Sequence, residues 1–279
     1  MKNRFDIDYV SDYYAKAYGM HRNEIASYYI IGLPIAIERF ISNKKIYNII
    51  FILLILSAIG IVFSRGAYLS TMIAILGYLV ISKRLKLFPV ITIIIIAIPL
   101  IIYTPVLTRA SQGIKTKDRD AISAGRIDDI WLPLIKEYAK SPKKMIFGSG
   151  RYAIHSSNAA SKGEILQDIS HPHNMFLEII IDAGLIGFTV IALFYFRVIY
   201  KAFRTLSIMK DDRLKAYLYA NIISIICFLI SGFTDRSFFP KDDTMFIWVI
   251  LACAIVNCTI AENIVSIQHQ VNVSTNSKA

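Results

Sequence analysis

Two histidines and an asparagine stand where a long polar stretch meets an apolar one: Ser170-His171-Pro172-His173-Asn174, followed by the run from Met175 to Tyr200. An imidazole titrates near neutral pH, so a histidine at that border can serve as general base or as hydrogen-bond donor. His-x-His spacing can also supply two metal ligands, with His155 upstream and Asp168 as a third. Pro172 and the missing Cys or Glu-x-x-His company make that the minor reading, and no metal site is expected. Downstream, Asn174, Glu178 and Asp182 recur at a spacing that a helix places on one face. Carboxylates inside an apolar span are costly, so they should face a polar cavity or a cation, for which Arg65 and Arg126 are the candidates.

Arg65 lies between Ser64 and Gly66 in a tight turn joining two apolar runs. It can be an interfacial anchor whose guanidinium snorkels to headgroups, or it can hold a lipid-linked phosphate by paired hydrogen bonds. Arg126 follows Gly125 and precedes Trp131, a spacing that fits an amphipathic helix resting on a membrane. The same pair suits a phosphorylated sugar, with the indole stacking on the pyranose. Gly148-Ser149-Gly150-Arg151 reads either as an anion-binding nest of backbone amides or as an ordinary turn. It lacks the Lys-Ser/Thr of a P-loop. Asp118-Arg119-Asp120 mimics the metal motif of nucleotide-sugar transferases but falls in a loop on the wrong side for such donors.

These residues are spaced out by apolar blocks. The chain is 55% hydrophobic over 279 residues, with a mean hydropathy of +0.52, and the Ile, Leu, Phe and Tyr are concentrated in runs near the ~20 residues needed to cross a bilayer. The expected fold is all-α, a polytopic transmembrane protein of about seven spans. These run from Ser27 to Ile41 (interrupted by Pro34), Ile46 to Phe63, Gly66 to Ile81, Leu87 to Tyr103, Met175 to Tyr200 (broken at Asp182-Ala183-Gly184), Ala216 to Phe233 and Thr244 to Ile260. The expected division is an outer segment over 1–25, four spans over 26–103, a long polar loop over 104–173, three spans over 174–260 and a polar, disordered cytoplasmic tail over 261–279. Short amphipathic helices are expected in the loop at Ile130–Tyr138 and Ile165–Ile169.

Basic residues fix the orientation. Arg39, Lys44 and Lys45, then Lys83, Arg84 and Lys86, then Arg197, Lys201, Arg204, Lys210, Arg213 and Lys215 fall in one set of loops. The opposite set carries Arg65, and Arg236 and Lys241 offset by Asp235, Asp242 and Asp243. The first set is therefore cytoplasmic, and the long loop with its His-Pro-His-Asn turn faces outward. This distribution also accounts for much of the formal charge of +11 without a nucleic-acid partner; the rest suits anionic lipid. Cys227, Cys253 and Cys258 all lie in apolar spans, where they are small hydrophobes with no ligand spacing. Residues 1–23 are polar and charged, so they are not expected to act as a secretory signal.

The ordered set resembles the bacterial O-antigen ligase and O-antigen polymerase superfamily. It comprises Asn23-x-x-Ala26 at a span entry, Ser64-Arg65-Gly66-Ala67, Gly125-Arg126 with Trp131, Gly148-Ser149-Gly150, His171-Pro172-His173-Asn174-Met175-Phe176-Leu177, and Gly184-Leu185-Ile186-Gly187. Each motif is short and degenerate; their order and common outward placement, from about Gly19 to Phe233, carry the likeness. The resemblance implies a metal-independent glycosyltransferase, without cofactor, on the outer face of the bacterial inner membrane. Its donor would be a glycan on undecaprenyl diphosphate and its acceptor either a second lipid-linked repeat (polymerase, slightly favoured) or lipid A core (ligase). By the family pattern Arg65 and Arg126 would hold the diphosphate, His173 would activate the acceptor hydroxyl, and Asn174 would fix the loop or touch sugar. Trp131, His171, Arg151 and Glu178 complete the expected substrate-binding set.

With this orientation residues 1–25 also lie outside, without a signal to take them there. Either the chain is a fragment lacking upstream spans, the favoured reading, or the first span inserts by its flanking charges alone. Family members also carry more spans than the roughly seven read here. Two other classes compete with the enzyme: a transporter-like protein with Glu178 and Asp182 along a permeation path, and a truncated, inactive copy.

Overall fold

A computed structural model describes residues 22–62, 65–81, 126–162, 165, 171–235 and 245–276. Among these residues all regular structure is helical: α1 (Arg22–Ser42), α2 (Ile46–Val62), α3 (Arg65–Ile81), a π-helical turn (Ile127–Trp131), α4 (Leu132–Ala139), α5 (Pro142–Phe147), α6 (Asn158–Ser161), α7 (Met175–Ile208), α8 (Asp212–Asp235) and α9 (Met245–Asn276).

The protein is a membrane protein. Among the described residues three helices are long and apolar enough to span a bilayer, at Met175–Ile208, Asp212–Phe233 and Met245–Ile267; Ile46–Ile59 and Ser70–Val80 are shorter apolar stretches. The expected span from Leu87 to Tyr103 lies outside the described residues, as do residues 1–21. Among the described residues α8 is the most enclosed of the three long apolar helices, with 67% of its apolar stretch buried inside the protein against 28% for α7 and 33% for α9. It packs on α1, α3, α7 and α9.

Small and polar residues let these helices approach closely, the usual device where lipid removes the hydrophobic drive between helices. Gly232 of α8 faces Met175, whose Cε would stand 2.8 Å from a Cβ at that position. Pro34 offers no N–H to the carbonyl four residues back, which loosens that turn of α1. Beside it, the carbonyl of Ile31 accepts a hydrogen bond from Ser224 Oγ of α8 at 2.7 Å. Helix α1 continues through Pro34 rather than stopping there. The buried Glu38 of α1 accepts from the Tyr78 hydroxyl of α3 and from Ser42 Oγ at 3.3 Å, tying the two helices by a polar contact.

Some boundaries differ from the sequence reading. Helix α7 runs past Tyr200 to Ile208, and α8 starts at Asp212, because Asp211 Oδ1 caps it by accepting from the amides of Arg213 (2.8 Å) and Leu214 (3.0 Å). The tail expected to be disordered after Ala261 is helical to Asn276. No Gly or Pro interrupts residues 245–276, and Glu262 is paired with Lys201 of α7 at 3.1 Å. The expected helix over Ile130–Tyr138 is divided between the π-helical turn and α4, with Pro133 in the first turn of α4. Of the expected helix at Ile165–Ile169 only Ile165 is among the described residues.

The polar segment forms a small core of its own. Ile130, Leu134, Tyr138, Ala153, Ile154, Ala159 and Ile165 pack on Leu177 and Ile181 of α7, with Trp131 and Met145 at the edge. Met175 and Ile179, on the other side of the same turns, belong to the core of the bundle with α8 and α9. The first turns of α7 are thus shared by two cores.

Candidate functional site

The His-Pro-His-Asn turn leads directly into α7. Asn174 is the N-cap: its Oδ1 accepts from the amides of Phe176 and Leu177, both at 3.0 Å. A cap of this kind satisfies donors that the first helical turn leaves open, worth about 1 kcal/mol. Immediately before it, His173 has φ +52°. The left-handed region is uncommon for residues other than glycine, though His visits it more than most. The His173 amide donates to Nδ1 of His171 at 3.2 Å, and the two rings lie 4.3 Å apart between centroids. Accepting that bond requires a lone pair on Nδ1, which leaves the proton of a neutral His171 on Nε2.

The π-helical turn supplies the other side of the site. Arg126 opens it, half-buried, and Trp131 closes it. The Trp131 indole Nε1–H donates to the carbonyl of Pro172 at 2.8 Å, so two motifs separated by the loop meet at this point. A single π-helical turn of this kind has a common association with functional sites.

Below the turn, Glu178 and Asp182 are buried at 5% and 7% exposure. Asp182 Oδ1 accepts from the Ala153 amide at 3.1 Å. The cost of its burial, which prompted the transporter-like reading, is met by a partner in the loop core.

The Gly148-Ser149-Gly150 turn docks on the break in α7. Gly184 has φ +70° and ψ −176° within the helix, as the sequence break at Asp182-Ala183-Gly184 anticipates. This interruption leaves the carbonyls of Ile181 and Asp182 to accept from the amides of Ser149 and Gly150, both at 2.9 Å. Those two amides are the ones an anion nest would need, so the turn reading holds for them. Gly148 (φ +75°) and Gly184 touch backbone to backbone: a Cβ on Gly184 would stand 2.6 Å from the amide nitrogen of Gly148, and one on Gly148 would stand 2.6 Å from that of Ala183. Arg151, exposed at the tip of this turn, places its guanidinium carbon 5.0 Å from the ring centroid of Tyr152, itself left-handed at φ +60°.

Glu137 is a residue the sequence reading passed over. It joins α4 to the following segments by accepting from Lys144 Nζ (2.9 Å), Asn158 Nδ2 (3.3 Å) and the Ala159 amide (3.1 Å). Burial alone would raise its carboxyl; the hydrogen bonds from Lys144, Asn158 and Ala159 and the charge of Lys144 together hold it below its ordinary value. Its partner Lys144 is raised, first by that hydrogen bond. Burial also raises the Tyr138 hydroxyl, with a hydrogen bond to Ser149 acting against it. An acidic residue seven before a lysine, across a Ser-Pro helix start, was the available signal.

The structure therefore gathers Trp131, His171, His173 and Asn174, and sets Glu178 one helical turn below Asn174. Arg65 is the first residue of α3, and its side chain lies outside those described. Gly125, Ser64 and Asp118-Arg119-Asp120 also lie outside the described residues. His155 is exposed, with its ring 6.4 Å from that of Tyr152. Among the described residues no three His, Cys, Asp or Glu side chains gather in a way that could hold a metal ion.

A helical subdomain is thus seated on a broken membrane helix, with a histidine turn between them. The sequence model of the O-antigen ligase family matches residues 50–192, half of the chain, and the chain belongs to that family. The matched region contains Arg65, Arg126, Trp131, Arg151, His171, His173, Asn174 and Glu178. Its activity is thereby of the glycan-transfer type. No curated protein matches the chain.

Proposed function

We propose that the chain is a glycosyltransferase of the bacterial inner membrane that joins undecaprenyl-diphosphate-linked glycan to an acceptor on the outer face, and that it acts as a polymerase, with a second lipid-linked repeat as acceptor. The observation that carries this reading is the placement of His173, held in a left-handed turn between the Trp131 segment and the N-cap of a membrane helix. A base so placed can meet a sugar hydroxyl at the height where a lipid-linked diphosphate sits.

In the reaction the acceptor oxygen bonds to the anomeric carbon as the bond from that carbon to the diphosphate breaks. The electron pair leaves with undecaprenyl diphosphate, and the hydroxyl proton passes to His173 and then to solvent. Arg65 and Arg126 neutralise the diphosphate and its growing charge, the kind of preplaced stabilisation that supplies much of a transferase's rate. Arg151 and Glu178 contact the glycan. The Asn174 cap uses Oδ1, so Nδ2 is the end that reaches a sugar hydroxyl.

The ligase reading, with lipid A core as acceptor, is favoured by the description of the matching family itself. A deletion strain separates the two. Single repeats on lipid carrier or on capped glycan mark a lost polymerase; long glycan retained on undecaprenyl diphosphate marks a lost ligase. Restoring the gene with His173→Ala or Arg126→Ala should leave the deletion phenotype in place, and normal surface glycan from either variant would sink the enzymatic reading.

A further inference from the structure

We propose that Trp131 and His171 are positioning residues that aim His173, rather than contacts for sugar. The inference rests on the reading of His173 as the acceptor-side base. Its ground is that both residues grip one peptide unit. The carbonyl of Pro172 and the amide of His173 belong to the same plane: Trp131 Nε1–H holds its oxygen at 2.8 Å, and His171 Nδ1 holds its N–H at 3.2 Å. On the other side of the His173 Cα, Asn174 is fixed by its double cap on Phe176 and Leu177.

Between two fixed units the backbone of His173 has little freedom left. A planar peptide has no internal rotation, so anchoring its two polar ends sets the plane from which φ of His173 is measured. The observed φ of +52° is a conformation that surrounding structure has to impose on a residue other than glycine. Pro172 contributes by its ring, which fixes its own φ, and it is buried. His171 accepts from the amide two residues on, the pattern that Asn and Asp side chains make in turns. A reactive side chain aimed by locked neighbours is what a preorganised site needs, and small misplacements of such a group are expensive in rate.

The two possible roles of Trp131 predict opposite results for one substitution. Trp131→Phe keeps an aromatic face and removes the N–H. A stacking platform would survive it, whereas a positioning role would not. The experiment uses the full chain purified in detergent, with lipid-linked glycan extracted from cells lacking its gene as substrate. It also follows hydrogen–deuterium exchange in peptides covering His173.

The expected result for Trp131→Phe and His171→Phe is faster exchange at His173 and turnover lower by about 10- to 100-fold at unchanged KM. His171→Asn, which returns an acceptor to the same place, should rescue a large part of both losses relative to His171→Phe. Wild-type exchange and turnover in Trp131→Phe, or a raised KM at constant turnover, would overturn the positioning role. Faster exchange with undiminished turnover would instead uphold the clamp and overturn the acceptor role of His173 on which the inference rests.

Discussion

Replacing Gly184 by alanine tests whether the loop core is locked onto the membrane helix. Gly184 combines φ +70° with ψ −176°, a region almost closed to residues with a side chain. Forcing alanine there costs about 1–3 kcal/mol in backbone conformation. The new Cβ would also collide with the carbonyl of Ile146 and stand 2.6 Å from the amide nitrogen of Gly148. Both obstacles are backbone, so neither can swing aside. The turn must lift, and with it go the hydrogen bonds from Ser149 to Ile181 and from Gly150 to Asp182, each worth about 1 kcal/mol. Gly150→Ala is the control, because Gly150 also has positive φ (+88°) but nothing lies within 4 Å of the Cβ it would gain. It should cost the conformational part alone. The two variants therefore differ by about 2 kcal/mol, roughly a 30-fold difference in local opening. Exchange at the amides of residues 149–153 in the purified protein reads that opening. If the two variants accelerate exchange equally, the backbone interlock is not what holds the subdomain on α7.

Two further outcomes follow from the site. Asn174→Ala should weaken the start of α7 by about 1 kcal/mol, seen as faster exchange at Phe176 and Leu177, while Asn174→Asp keeps the cap; full cap protection with lost transfer in Asn174→Asp assigns its amide group to the sugar. The Glu137 contact should be acid-sensitive: its folded-state value lies below the ordinary 4.5, so its stabilisation is complete above 4.5 and is lost as pH falls through the lowered value. Lys144→Ala should move this loss to higher pH at a cost below about 1 kcal/mol near neutrality, since the lysine is 37% exposed. Trp131 fluorescence against pH, in a Trp248→Phe background, measures both curves, and coincident curves would remove Lys144 from the contact.

What the sequence discloses about this protein depends on the range of the interaction. The N-cap at Asn174 is a local matter of one side chain and the two amides after it, and the helix break at Gly184 is local too; both positions stand out in the sequence. The grip of Trp131 on Pro172 joins residues 41 apart, and no periodicity reports such a contact. The choice between nest and turn at Gly148–Arg151, with the turn favoured, has the same limit: the glycines announce unusual backbone, but only the fold shows that the amides of Ser149 and Gly150 meet α7. The tail after Ala261 looked structureless because its polar residues end the apolar block, whereas helix propensity without Gly or Pro and the Glu262–Lys201 pair continue it. Hydropathy marks the apolar runs directly, because the composition of α2 and α3 reports their apolar character whatever they pack against.

The break in α7 also explains how one helix serves two environments. Before Gly184 the helix is buried on almost every side: Met175, Leu177, Glu178, Ile179, Ile181 and Asp182 are all enclosed. After it the buried positions shrink to a stripe of Tyr195, Val198, Ala202 and Thr205, while Leu185, Ile186, Val190, Leu193, Phe196 and Tyr200 are exposed. The stripe recurs at helical spacing, so one face packs on the bundle and the rest suits lipid. An unbroken helix would carry the azimuth of the first segment into the second, and the side chains facing the loop core would dictate which face met lipid. The non-helical residue at Gly184 uncouples them. It also leaves carbonyls on which the Gly148–Gly150 turn can dock, so the device that frees the membrane span anchors the subdomain above it. His173 is then carried by the first segment of α7, which the two cores hold between them.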